Sequence, residues 1–332
     1  MQPKKNSYTF VLDKEQQEAL KLMLKMGNYR PKQVPHTQIA VEAQDCVVNL
    51  YKSGKCLVQG KGAEDFVLFF LEPNVLLSAT LGYEEILNPE LVAPHMGIDE
   101  SGKGDFFGPL VASAVYVDPD IAQAMQELGV KDCKQLTDKA VFFIGVKTRQ
   151  LLGPRRFSLV SIGPEAYNRL YAKMRNVNTM LAWAHARCIE NLLETVPDCP
   201  RAVADQFGAK QVIERALMKK GRKIKLEQRH KAESDIAVAA ASVLAREAFL
   251  RGLGRLGETH GIQAHKGASE QVKAAAVELV RKSGPEILLK TAKCHFKTAD
   301  QVLAACGSSR AALGPEGQAV SRGKAPGKLA AG

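Results

Sequence analysis

No uninterrupted apolar run in this 332-residue sequence approaches the ~20 residues needed to span a bilayer, so a membrane-spanning helix is excluded. The first ten residues, MQPKKNSYTF, hold no apolar core of a secretory signal, and export is not expected. The seven cysteines include no C-x-x-C and no close pair, which argues against a zinc site or a disulfide framework and for reduced, cytoplasmic thiols. Acidic residues are in deficit: 35 Asp and Glu against 46 Lys and Arg leave a formal net charge of +11 and a pI near 9.3. Such a surplus points to a polyanionic partner, nucleic acid or an anionic membrane surface, and says nothing about chemistry. No internal repeat is present. What the chain does have is length for two domains and 45% hydrophobic residues, enough for packed cores.

Asp13 to Met26 (DKEQQEALKLMLKM) has the spacing of an amphipathic helix capped by Asp13. CVVNLYKSG and KCLVQGKG read as two strands joined in a hairpin at Ser53-Gly54. EDFVLFFLE is a continuous apolar run that fits helix or strand. A polar, proline-bearing connection from Asn88-Pro89 to Pro94 marks a boundary and leaves a small domain over residues 1–88. Beyond it, FFGPLVASAVYV, RFSLVSIG, RAVADQFG and the basic RKIKLEQRHKAE read as strands. They alternate with helical runs at Asn178 to Val196 and at the alanine-rich Ala237 to Leu250. Alternation of this kind implies an α/β domain with a mixed sheet, placed over residues 94–306. From Gly307 to Gly332 the chain is rich in Gly, Ala, Ser, Pro and basic residues without apolar period, and reads as a disordered tail.

The stretch GIDESGKGDFFGP, Gly97 to Pro109, begins with the G-x-x-x-x-G-K spacing of a nucleotide-phosphate loop. That loop needs Ser or Thr after the lysine and a helix beyond it. Here Gly104 follows Lys103 and the next residues read as strand, while Asp99 and Glu100 would repel phosphates. Two adjacent carboxylates suit a hard divalent cation, which takes oxygen ligands, or, taken alone, a solvated acidic turn. Asp205 follows a short apolar run, and Glu233 and Asp235 precede the alanine-rich helix. Acids at element ends in a basic chain fit a nuclease: carboxylates hold metal while Lys and Arg neutralise a nucleic-acid backbone.

These segments resemble the motifs of the type 2 ribonucleases H. GIDESGKGDFFGPLV is similar to their first signature, an Asp-Glu pair before a Gly-x-Gly turn, and its Gly-Asp-Phe-Phe-Gly-Pro continuation matches the ribonuclease HIII branch. GVKDCKQLTD, SIGPEAYNRLY, NVNTMLAWAH, ADQFG, KAESDIAVAAASVLAREAFL, AHKGAS and KCHFKT follow in the family's order, so the resemblance covers most of residues 95–300. YKSGKCLVQGKGAEDF resembles the basic hairpin of that branch's extra amino-terminal domain.

The resemblance implies a ribonuclease H-like α/β domain, a mixed central sheet flanked by helices, joined to a small α+β domain similar to the TATA-binding protein fold. It implies a monomer that cleaves the RNA strand of RNA/DNA hybrids with two Mg2+ or Mn2+ ions and no small-molecule cofactor, leaving 3′-hydroxyl and 5′-phosphate ends. Carried over by motif, Asp99, Glu100 and Asp205 are metal-binding catalytic carboxylates, and the fourth is Glu233, with Asp235 as the alternative. Gly102, Lys103 and Gly104 match a turn that reads ribose 2′-hydroxyls; the family commonly has Arg or Thr where Lys103 stands. Lys52, Lys55 and Lys61 are expected to grip the duplex. Asp132 and Lys134 read as loop-ordering, His265 and Lys266 as a loop that contacts nucleic acid or stays solvated, His295 as structural and Trp183 as core. Two other functions stay open: incision at single embedded ribonucleotides, as in ribonuclease HII, and hybrid binding without catalysis.

Overall fold

The fold is given by a computed structural model that describes residues 6–77, 93–205, 216–217, 221, 224–229, 232 and 235–320. The chain divides into two compact units, Met1–Leu91 and Val92–Gly332. Most of the connection expected at 88–94 lies outside the described residues.

In the first unit, β1 (Ser7–Val11), β2 (Arg30–Pro31), β3 (Thr37–Ala43), β4 (Cys46–Tyr51) and β5 (Lys55–Gly60) form an antiparallel sheet in the order β1-β5-β4-β3-β2. Helix α1 (Lys14–Met26) starts on a capping box: the Asp13 carboxylate accepts from the Gln16 amide at 2.8 Å and the Gln16 side chain accepts from the Asp13 amide at 3.1 Å. The ambiguous apolar run is helical. It begins as Ala63–Phe66 and continues in wider turns through Val67–Leu76, together α2. Buried Ala63, Val67, Leu71 and Val75 recur at a spacing of four, so one stripe packs with Leu20 and Leu24 of α1 onto the sheet.

In the second unit, β6 (His95–Ser101), β7 (Leu110–Val117) and β8 (Phe157–Ile162) form an antiparallel meander. β9 (Arg201–Asp205) pairs parallel to β6, and β10 (Lys225–Arg229) parallel to β9, giving a mixed sheet in the order β10-β9-β6-β7-β8. Its described helices are α3 (Pro119–Glu127), α4 (Asp138–Leu152), α5 (Pro164–Met174), α6 (Val177–Leu193), α7 (Ile236–His260), α8 (Glu270–Ser283), α9 (Ile287–Thr291), α10 (Lys297–Ala305) and α11 (Gly314–Gly317). Met96 and Ile98 of β6 pack with Leu181, Ala184 and Cys188 of α6 on one face of the sheet. On the other face lies α7, and Gly97 lets it approach. A Cβ on Gly97 would come within 2.1 Å of the Ala237 and Val238 backbone. Helix α7 runs ten residues past the expected Leu250, since Leu253 and Leu256 are still buried; Gly261, at φ +64°, ends it.

The expected disordered tail is corrected for residues 307–320. Leu313 and Ala319 are buried. The Arg310 guanidinium donates to the carbonyls of Cys294 at 2.7 Å, Gly317 at 2.8 Å and Phe296 at 3.2 Å. The rest of the tail lies outside the described residues. No described helix is long and apolar enough to cross a membrane, and all seven cysteines are free thiols.

Candidate active site

Strand alternation sends Asp99 and Glu100 to opposite faces of the sheet. Asp99 shares the α7 face with Gly97 and His95, whereas Glu100 shares the α6 face with Met96 and Ile98. Parallel pairing aligns Ile98 with Ala204, so the next residues, Asp99 and Asp205, stand side by side on neighbouring strands ~4.8 Å apart. Both face α7, since Val203, two residues before Asp205, packs on Val238. Three of the expected acids are thus gathered at one end of the β6–β9 pair.

Glu100 accepts from His185 Nε2 of α6 at 3.0 Å, and Lys103 Nζ lies 4.0 Å from its other oxygen. Burial opposes its ionisation. The His185 hydrogen bond and the charges of His185, Lys103 and Lys134 outweigh that penalty and hold its carboxyl below the usual range. Asp99 accepts from the Glu100 amide at 2.8 Å. Its carboxyl is pushed up to about 8, first by burial and then by the Glu100 charge, with Lys134 opposing. The two neighbours therefore titrate apart: near neutrality Glu100 is ionised while Asp99 stays largely protonated unless positive charge is added beside it.

Beside Glu100 opens a cleft of about 410 Å³. Ser101 to Asp105 form one side, and Cys133, Lys134, Leu136, Asp138, Arg246 and Lys266 the other. Asp138 pairs with Lys266 at 2.5 Å and with Arg246 at 3.6 Å. Lys134 therefore lines the cleft as well as following Asp132, whose carboxylate accepts from its amide at 3.3 Å. Gly102 is at φ +91°, and a Cβ there would come 2.2 Å from the Pro109 carbonyl. Gly104 differs: a Cβ there would meet nothing within 4 Å. The first glycine is required by the turn and the second is left open on the cleft.

The remaining candidates fall elsewhere. Asp235 caps α7, accepting from the Ala237 and Val238 amides at 3.0 and 3.2 Å, and both its oxygens contact His95 Nε2, at 2.9 and 3.0 Å. Glu233 lies outside the described residues. Among the described residues no group of three His, Cys, Asp or Glu side chains is placed to hold a metal ion by itself. In the amino-terminal unit, Lys52 and Lys55 line a cleft of about 370 Å³ with His36, Tyr51, Ser53 and Leu57, while Lys61 sits on the turn after β5, outside it. His295 stacks among Tyr167, Tyr171 and Phe296, and burial pushes its imidazole down to about 4. Trp183 packs partly buried on the core beneath α6.

No role for His185, Arg246, Asp138 or Lys293 is legible in the sequence. His185 had a faint signal, a polar residue on the apolar face of α6 between Leu181 and Cys188. The others reach the cleft, or the loop behind it, only through long-range packing.

A mixed sheet carrying carboxylates on neighbouring β6 and β9, covered by α6 and α7, defines the class of ribonuclease H-like hydrolases. Residues 96–299 match the family described as Ribonuclease HII. Residues 9–78 match one described as a Domain of unknown function (DUF3378). Ribonuclease HIII of Chlamydia pneumoniae is 40% identical over 89% of this chain and 97% of its own length. The enzyme of that name from Protochlamydia amoebophila is 41% identical over 82% and 88%. The crystal structure of Bst-RNase HIII in complex with Mn2+ superposes with a TM-score of 0.63 at 30% identity, covering 90% of this chain and 98% of that one. The chain belongs to the ribonuclease HIII family, endonucleases that hydrolyse phosphodiester bonds.

Proposed function

We propose that the chain cleaves the RNA strand of RNA/DNA hybrids by metal-assisted hydrolysis, leaving 3′-hydroxyl and 5′-phosphate ends. The observation that carries this reading is the set Asp99, Glu100 and Asp205 gathered at one end of neighbouring strands, with Glu100 lining a cleft that also holds Lys103, Lys134, Arg246 and Lys266. The donor set fits divalent cations: the acids offer only hard oxygens, and Asp99 is held up to about 8 by burial and by Glu100, a penalty that added positive charge relieves. Two Mg2+ or Mn2+ ions bound there supply the Lewis-acid chemistry of phosphodiester hydrolysis.

The chain's own groups do the rest. His185 orients Glu100 through its 3.0 Å contact. Gly102, Lys103 and Gly104 present backbone to the RNA strand, where the open space at Gly104 admits a ribose and its 2′-hydroxyl separates RNA from DNA. Lys103, Lys134, Arg246 and Lys266 neutralise phosphates along the cleft, and Lys52, Lys55 and Lys61 hold the duplex from the amino-terminal unit. Glu233 is favoured over Asp235 as the fourth acid, because the Asp235 carboxylate is already engaged by His95 and two helix amides.

A labelled hybrid incubated with Mg2+ and with Mn2+ tests the reading. Asp99→Asn and Glu233→Gln are expected to lower cleavage by on the order of 10²–10³, whereas Asp235→Asn acts mainly on thermal stability. An undiminished rate in Asp99→Asn removes that residue from the mechanism. Loss of metal binding in Asp235→Asn at an unchanged melting temperature makes Asp235 the fourth ligand. A duplex with one embedded ribonucleotide is expected to be cut more slowly than one with a longer RNA run.

A further inference from the structure

Lys293 is a fully buried cation outside the set of residues assigned to cleavage and duplex binding. It forms no ion pair among the described residues. Its ammonium donates to three backbone carbonyls, those of Asp105 at 2.8 Å, Phe107 at 3.3 Å and Gly108 at 2.8 Å. The Tyr167 ring lies 5.7 Å away. An ammonium has three donors and a neutral amine two, so the number of converging carbonyls matches the charged form.

Burial opposes that charge and pushes the amine down to about 7, with the Asp105 charge opposing the shift. A methionine would fill similar space without the penalty, so packing alone gives no reason for a lysine here. What the lysine adds is a grip on one backbone segment. Asp105 to Gly108 directly follow the Gly102-Lys103-Gly104 turn and connect it to β7. Other parts of the fold hold the same segment. The Lys293 amide donates to the Phe106 carbonyl at 2.8 Å, and the Phe106 amide to the Gly267 carbonyl at 2.8 Å. The Gly267 amide donates to the Asp105 carboxylate at 2.6 Å, and the Gly108 amide to the Thr291 carbonyl at 3.2 Å.

Lys293 is itself held. Asn168 of α5 donates to the Ala292 carbonyl at 2.9 Å and accepts from the Cys294 amide at 2.9 Å, on either side of the lysine. Arg310 donates to the Cys294 carbonyl at 2.7 Å. The amine is therefore fixed in place and faces the loop that carries the turn.

We propose that Lys293 is a positioning residue that sets the Gly102–Gly104 turn at the height where its backbone meets ribose 2′-hydroxyls, and so sets the preference for RNA/DNA hybrid over DNA duplex. The inference rests on the ribose-reading role of that turn. It places the determinant of the preference in a buried side chain that never touches substrate.

The test compares binding of a labelled hybrid and of the DNA duplex of the same sequence, both in EDTA so that no strand is cut. Wild type, Lys293→Met and Lys293→Arg are measured as full-length chains. In Lys293→Met the hybrid affinity falls about tenfold and the DNA-duplex affinity stays within twofold, so the preference collapses. With metal, KM for the hybrid rises more than kcat falls. A general loss of stability would weaken both ligands alike. A folded Lys293→Met that keeps the wild-type preference overturns the inference. If Lys293→Met does not fold, Lys293→Arg is read by the same criterion, since it restores charge and donors with a different reach. Failure of both to fold overturns the positioning role and leaves Lys293 as a residue of overall stability. A wild-type protein that binds hybrid and DNA duplex equally overturns the reading of the turn itself, and this inference with it.

Discussion

Gly102 and Gly104 are two residues apart and have opposite reasons to be glycine. At φ +91° and 2.2 Å from the Pro109 carbonyl, Gly102 has no room for a side chain. Gly102→Ala is expected to destabilise the protein by ~2 kcal/mol or more, read by denaturant unfolding. Gly104 has free space around it and no positive φ. Gly104→Ala should leave the melting temperature equal or slightly raised, because alanine restricts the unfolded chain. Its kcat/KM on hybrid should nonetheless fall by about tenfold, because the methyl occupies space reserved for the RNA strand. Unimpaired cleavage by Gly104→Ala would remove the turn from substrate contact. The residues of this turn were legible in the sequence through their match to the Gly-x-Gly turn of the type 2 ribonucleases H. The two separate reasons were not, because φ and neighbouring atoms belong to the folded chain. The partner of His185 was illegible for the same reason: its place on an apolar helix face marks it faintly, but nothing near it in sequence announces Glu100, 85 residues away.

At the scale of elements, hydrophobic period and caps were readable where they were local. Asp13 caps α1, and the hairpin turns at Ser53-Gly54. The run EDFVLFFLE hid its period, because apolar residues also fill its exposed side, as Phe69 does. Only packing on the sheet selects the stripe of Ala63, Val67, Leu71 and Val75. The segment 307–320 failed differently. It holds few apolar residues, and its anchor is a cation that satisfies carbonyls far back in the chain. Arg310→Ala is expected to cost ~2 kcal/mol in urea unfolding, from carbonyls left without a donor. The bidentate Arg310–Asp300 pair is part of the same anchor, weakened by solvent because Asp300 is half exposed. A loss under ~0.5 kcal/mol would show that the segment is not anchored by Arg310.

At the scale of the whole molecule, the two units have separate cores. Leu20, Val48, Val58 and Leu71 pack within the first unit, and Met96, Ile98, Leu181 and Ala204 within the second. A chain without residues 1–91 should therefore fold. It should show a KM for hybrid raised by about tenfold or more, with kcat within about threefold, because the first unit carries Lys52, Lys55 and Lys61 but no candidate metal ligand. Steady-state cleavage by the shortened chain measures both values. An unchanged KM would mean that the amino-terminal lysines do not hold the duplex.

The sequence by itself was enough to place the chain beside the type 2 ribonucleases H, since its motifs from GIDESGKGDFFGPLV to KCHFKT stand in that family's order whatever their final spacing. It also determined most strands and helices, because their periods and caps are written in neighbouring residues. Only the tertiary structure decided which acids stand together, since that follows from pairing Ile98 with Ala204 across more than 100 positions. It also engaged Asp235 with His95 and placed Lys293 behind the turn. Each of these is a contact between distant parts of the chain, and its geometry exists only once both parts have packed.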